Sequence, residues 1–219
     1  MDVKEVFEII DKVTLPKGNI KPSFTTYHIY LTLHECSKGP SGRKALSNIL
    51  GIGEGSVRTL IRRLYQIGLI YVDPVAGVLL TPTGLEVLKS LSDMMYLVGS
   101  FDLNHSEICS NCRIALTVLK DGVKLVEKIG GVLYVRDLIV KKGGVGGLIL
   151  YYINGIFKIP NSKNIYDVVN QEFWRGLLKN SSIGDGDCVL ASMCGRGDTN
   201  CLMYVVEAAL DVIRGAINS

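Results

Sequence analysis

Between residues 43 and 81 the chain sets out two short amphipathic segments, a glycine turn and two short β runs, in an order few folds accommodate. The segment RKALSNILG carries Leu46, Ile49 and Leu50 on one side. Gly51-Ile52-Gly53-Glu54-Gly55 then forces a tight turn, and SVRTLIRRLYQIG places Val57, Leu60, Ile61, Leu64 and Ile67 on a single helical stripe. Two helices joined by a glycine turn form a helix-turn-helix arrangement. After Gly68 the period changes. Leu69–Val72 and Val78–Thr81 read as strands around Asp73-Pro74-Val75-Ala76-Gly77, a hairpin that would serve as a wing.

The neighbouring segments complete a helical unit. Val3, Val6, Phe7, Ile10 and Val13 lie three and four apart, one face of a helix that Pro16, Gly18 and Pro22 bring to an end. Ser23 is placed to cap a second helix containing Tyr27, Ile29, Tyr30, Leu31 and Leu33. His28 and His34 fall within it and read as structural. Thr83 is placed to cap a further helix with Leu85, Leu88, Leu91 and Met95 inward.

Charge matters here only when placed on this pattern. The formal net charge of 219 residues is +3, too even for a general DNA packager. Lys38 to Arg63, however, contains six basic residues against Glu54 alone, a local +5. Arg58 and Arg62 are four apart and so share one helical face with Ser56, Thr59 and Arg63 nearby. Such a helix reads base edges from its first turns while flanking cations hold phosphates. Arg43 and Lys44 open the preceding helix, whose positive end also favours phosphate. The expected DNA-contacting set is therefore Arg43, Lys44, Ser56, Arg58, Thr59, Arg62 and Arg63. A solvated basic face on a protein-interaction module fits the same residues. Glu54 is expected to complement the helix dipole or to accept from cytosine N4.

The run GPSGRKALSNILGIGEGSVRTLIRRLYQIGLI, followed by LLTPTGLEVL, resembles the winged helix of archaeal transcriptional regulators whose C-terminal domain has no assigned function. IGEGSVRTLIRRL is the most specific stretch, and KPSFTTYHIYLTL is similar to that family's opening helix. VRDLIVKKGGVGGLILYYINGIFKIP and GDGDCVLASM resemble its C-terminal segments more loosely. The resemblance implies DNA-binding regulation and names neither ligand nor operator.

Beyond residue 98 the pattern is mixed. Residues 99–112 are polar and irregular and read as a linker between a winged-helix domain (1–98) and a second domain (113–219). Arg113–Leu119 reads as a strand, and a helix is expected from Asp121. VLYVRDLIVKK fits either class, because its apolar residues show no single period. LILYYI and IFKIP around Asn154-Gly155 form a hairpin with a type I′ signal. A helix near Tyr166–Leu178, the strand CVLASM and a helix over Thr199–Ala216 follow. The expected class is α+β, a winged helix-turn-helix followed by a two-layer sandwich with a mostly antiparallel sheet. That second domain would bind an effector or dimerise the chain.

Its candidate sites are sparse. Arg136-Asp137 is a charged pair in an apolar run, an anchor for a small effector or a local ion pair. His105, Cys109 and Cys112 supply part of a zinc site, for which Cys194 or Cys201 is needed as the remaining ligand. The same cysteines fit free thiols, redox sensors or the disulfides found in cytosolic proteins of hyperthermophiles. Lys141–Gly147 lacks the order of a phosphate loop and reads as a turn, as do Asp185, Asp187 and Asp198. No nucleophile and base come together in the sequence, so an enzyme is not expected. The alternative is a metabolic enzyme fused to an autoregulatory winged helix. The longest apolar stretch, Gly146 to Ile153, is far below the ~20 residues of a membrane span. The acid-studded start MDVKEVFEIIDKV fits no targeting peptide. The sequence thus points to a cytoplasmic homodimer whose partners are double-stranded DNA and a small-molecule effector, without a membrane.

Overall fold

The computed structural model describes residues 1–16, 18–106, 108–160 and 166–219. The chain is α+β and divides into two compact units, Met1–Ser92 and Asp93–Ser219. Among the described residues no helix is long and apolar enough to cross a membrane.

The first unit contains α1 (Val3–Thr14), α2 (Thr26–Ser37), α3 (Arg43–Leu50), α4 (Glu54–Gln66), β1 (Ile70–Asp73), β2 (Gly77–Leu80) and α5, which starts at Pro82 and ends at Met94. The apolar stripes pack as their periods dictate: Val6, Phe7, Ile10 and Val13 of α1 are buried, as are Val57, Leu60, Ile61 and Leu64 of α4. α2 is buried over most of its surface and forms the middle of the bundle. Three local expectations change. Ile49 and Leu85 face outward, 44% and 50% exposed, because Leu46 and Leu50 alone turn α3 inward and Val87, Leu88 and Leu91 do so for α5. Thr25, not Ser23, begins α2, and Ser23 instead shares a hydrogen bond with Ser56. Thr81 Oγ1 accepts from the Gly84 amide, so the helix start lies earlier than a Thr83 cap implies. Gly84 itself cannot be larger, since a Cβ there would lie 2.0 Å from the Leu69 carbonyl oxygen.

The second unit is built on one six-stranded antiparallel sheet. In chain order it has β3 (Met95–His105), β4 (Ser110–Leu119), α6 (Gly122–Lys128), α7 (Gly131–Lys142), β5 (Gly146–Ile153), β6 (Ile156–Pro160), β7 (Tyr166–Val168), α8 (Gln171–Leu177), β8 (Cys188–Gly195) and α9 (Cys201–Asn218). The strands lie in the order β3-β4-β8-β5-β6-β7. Ladder register decides the two faces. Ala115, Thr117, Leu190, Ser192 and Ile149 share the face packed by α7 and α9. Ile114, Leu116, Val118, Val189, Ala191 and Leu150 share the other, where Trp174 and Leu178 complete a core. Central strands buried on both faces read as unbroken apolar runs, which RIALTVL and CVLASM do.

Of the residues expected to form the 99–112 linker, 99–105 belong to β3 and 110–112 to β4, paired from Gly99↔Leu116 to His105↔Ser110, with a short turn between them; residue 107 lies outside the described residues. The segment looked irregular because β3 is an edge strand, and its polar Ser100, Asp102 and Asn104 alternate with Phe101 and Leu103. The unit boundary accordingly falls near residue 92, within α5. The ambiguous VLYVRDLIVKK is α7, bounded by Gly130 and Gly143 at φ 115° and 126°. Its period is blurred because Leu133, Tyr134 and Val140 face outward while Val135 and Ile139 face the sheet. The segment expected as one helix over Tyr166–Leu178 divides into β7 and α8, with Asn170 capping the helix through its side chain and the Phe173 amide. Asn154 and Gly155 take φ 54° and 75°, as a type I′ turn requires.

His28 has a thermodynamic consequence for the first unit. Its ring is buried, and Nδ1 accepts from the Thr25 amide at 3.0 Å. Burial lowers its pKa to about 4, so the folded state holds the neutral ring while an unfolded chain protonates it near 6.5. Stability from this group is therefore complete above pH 6.5 and declines as pH falls toward 4. Urea unfolding of the intact chain should show that decline between pH 6.5 and 5, and His28→Gln should flatten it. An unchanged slope in the variant would remove His28 as its cause.

Candidate nucleic-acid interface

Backbone bonds between the start of α3 and the hairpin form one side of a cleft in the first unit. Ser41 donates its amide to the Val78 carbonyl at 3.0 Å, and Val78 returns the bond at 2.9 Å. Gly77 makes this approach feasible: its φ is +103°, and a Cβ would stand 2.8 Å from the Ser41 oxygen. The result is a cleft of about 630 Å³ between the N-terminal end of α3, the outer face of α4 and the hairpin. Asp73 shapes the hairpin tip by accepting from the amides of Val75 and Ala76 at 2.8 and 2.7 Å. Those two bonds hold its carboxyl below the usual carboxylate range. Val75 is left 96% exposed at the tip.

Arg43, Arg58 and Arg62 all line this cleft. Each is exposed, as is Lys44 beside Arg43, and among the described residues none of the four makes an ion pair. Arg43 and Lys44 open a helix whose N-cap is Gly42, with no side-chain cap and no acid in the first turn. Cations at a helix N-terminus oppose its dipole, a modest cost that a bound anion offsets. A smaller cleft of about 350 Å³ lies on the other flank of α4, where Ser56, Thr59 and Arg62 meet Lys21 and Phe24. Thr59 Oγ1 donates to the Gly55 carbonyl and remains part-exposed.

Arg63 departs from the expected DNA-contacting set. It is 6% exposed, and one guanidinium nitrogen donates to the carbonyls of Val13 and Leu15, each at 2.6 Å. The group also lies 5.5 Å from the Phe24 ring centroid. These carbonyls belong to the C-terminal end of α1, where helical oxygens have no intrahelical partner and the dipole favours a cation. Counting charge along the sequence could not separate Arg63 from Arg62, because its partners lie 48 and 50 residues away.

Two cleft residues escaped the sequence reading. Tyr65 is 58% exposed and lines the cleft beside Ile61. It stands three residues after Arg62 and seven after Arg58, so the helical period that grouped the arginines also reaches it. Lys21 has no comparable signal; chain reversal between α1 and α2 brings it to α4.

The second unit's candidates are placed differently. Arg136 and Asp137 are exposed on α7 and bonded to each other at 2.8 Å, lining neither of these clefts. Cys109 is joined to Cys112 and Cys194 to Cys201, with Cα separations of 6.1 and 5.9 Å. His105 is exposed at the end of β3. Among the described residues no three His, Cys, Asp or Glu side chains gather as a metal site. Asp187 is buried against Lys120 at 2.8 Å and accepts from the Gly184 and Asp121 amides. Asp185 accepts from the Asn154 amide and Asp198 from that of Asn200, so these acids organise turns.

The contrast between adjacent arginines gives a direct check by chemical denaturation. Arg63→Leu strips two charge-assisted bonds from the α1 terminus and should cost about 2 kcal/mol or more. Arg58→Ala, at an exposed position, should change stability by no more than about 0.5 kcal/mol. Equal effects from the two would contradict the structural assignment of Arg63.

Residues 29–86, from α2 into α5, match the family model described as "PH0730-like, N-terminal domain". The whole lining of the larger cleft and half that of the smaller one fall within this span. No curated protein matches the chain in sequence. The structure is similar to that of the hypothetical protein PH0730 from Pyrococcus horikoshii OT3, with a TM-score of 0.65 and 21% identity over 90% of this chain and 99% of that one. That likeness is one of fold. An IclR transcriptional regulator from Alicyclobacillus acidocaldarius aligns at TM-score 0.26 and 10% identity over 99% of this chain and 100% of that one. An IclR homolog from Microbacterium hydrocarbonoxydans, complexed with 4-hydroxybenzoate, aligns at 0.25 and 9% over 89% and 100%. At those scores the two alignments carry no argument.

Proposed function

We propose that α3, α4 and the β1–β2 hairpin form a winged helix-turn-helix that binds double-stranded DNA, and that the chain is a sequence-specific transcriptional regulator. One observation carries this reading: Arg43, Arg58 and Arg62, all exposed and in no ion pair among the described residues, line a single cleft bounded by a helix and a hairpin, with Asp73 its one acidic lining residue among those described. An α-helix fits the major groove of B-DNA, which is about 12 Å wide. In this reading Ser56, Arg58, Thr59 and Arg62 face the bases and the adjoining phosphates. Arg43 and Lys44 hold the backbone, and the tip around Val75 lies along the neighbouring strand.

Such a regulator reads two half-sites about 34 Å apart when it acts as a dimer. The outward Leu133, Tyr134 and Val140 of α7 favour pairing through the second unit, since exposed apolar side chains grouped on one helix mark a contact surface. The remaining role of that unit is to sense a small molecule. The proposed role is binding rather than turnover, carried out in the cytoplasm with no metal required.

Salt-titrated binding to duplex DNA tests the reading. The wild-type complex should carry two chains per duplex, and its log–log salt slope should reflect several phosphate contacts. Arg58→Ala with Arg62→Ala should weaken binding by about tenfold or more and lower the slope by about 1 per lost phosphate contact. Wild-type affinity and slope in the double variant would refute the assignment of α4.

A further inference from the structure

The two faces of the second unit's sheet are covered unequally. α7 and α9 pack along one, while the other carries the seven-residue α8 over β5 and β6. Beside α8 a pocket of about 510 Å³ remains, within the ~300–1,000 Å³ range of small-molecule sites. Its walls are Ile108 from the β3–β4 turn, Leu148 of β5, Ile159 of β6, and Phe173 and Trp174 of α8. The two aromatic rings meet edge to face, with centroids 5.3 Å apart.

Polar groups at the pocket are few, and most are committed. Ser106 Oγ accepts from the amides of Ile108 and Cys109 and donates to the Cys109 carbonyl, closing the β3–β4 turn. Asn170 Oδ1 accepts from the Phe173 amide as the α8 cap. His105 differs. Its ring is exposed, lines the pocket and makes no hydrogen bond among the described residues. An imidazole can donate from one nitrogen and accept at the other.

We infer that this pocket binds a small, mainly apolar carboxylic acid, with its hydrocarbon body against Leu148, Ile159 and Trp174 and its head on His105. The inference rests on the sensing role proposed above and gives that role a site and a ligand class. It also moves the effector site away from Arg136 and Asp137, which are exposed on α7, the helix that covers the opposite sheet face.

Trp174 is the chain's single tryptophan, so the pocket carries its own reporter. Decanoate titrated into the full-length protein should change the tryptophan emission and saturate. Leu148→Phe fills the pocket and should weaken this binding by about tenfold or more, with emission and melting otherwise near wild type. His105→Ala, at an exposed position, should keep the fold and weaken decanoate by about fivefold, the size of one hydrogen bond. It should leave 1-decanol less affected. A non-saturating response, or one unchanged in both variants, would overturn the proposal. Emission reads the pocket without DNA, so failure here and failure of DNA binding are separate results.

Discussion

One buried guanidinium sets the orientation on which the proposed interface depends. Arg63 joins α4 to the last carbonyls of α1 through two bonds of 2.6 Å, and Val57, Leu60 and Leu64 pack on the same inward side. Once that side is fixed, helical geometry leaves Arg58, Arg62 and Tyr65 facing outward. The Ser41–Val78 bridge then holds the hairpin beside them, with Gly77 permitting the close approach. A charged group used for packing thus determines where the neighbouring charges point. A burial cost is accepted: among the described residues the Arg63 Nε has no hydrogen-bond partner.

The second unit rests on a different asymmetry. β4 and β8 are buried on both faces and form the centre of the sheet, whereas β3 and β7 are its edges. One face is closed by long helices, including the 18-residue α9. The other is covered by α8, anchored by Trp174 and Leu178, and the space beside it becomes the pocket. Outward apolar residues on α7 and an apolar pocket beside α8 lie on opposite sides of the sheet, so the proposed pairing surface and the proposed ligand pocket are separate.

Much of the first unit was legible because its helices obey a single period and its turns carry glycine. α1, α3, α4 and the hairpin were readable within a few residues. Ile49 and Leu85 were misplaced because a short stripe does not reveal how wide its buried arc is. The burial of Arg63 has no sequence signal, because its partners are carbonyls distant in sequence and charge counting sees only neighbours. In the second unit, α7 blurred its own period by being apolar on two sides. β3 looked like a linker because half of an edge strand is polar. The pocket had no local signal at all, since its walls come from four separated segments.

The proposed contact with DNA runs through one contiguous surface of the first unit. Hydrogen–deuterium exchange of the full chain, with and without duplex DNA at low salt, tests this most directly. Protection is predicted at the start of α3, along α4 from Glu54 to Arg62 and at the hairpin tip from Asp73 to Gly77. Protection confined to residues 93–219, or none anywhere, would contradict it.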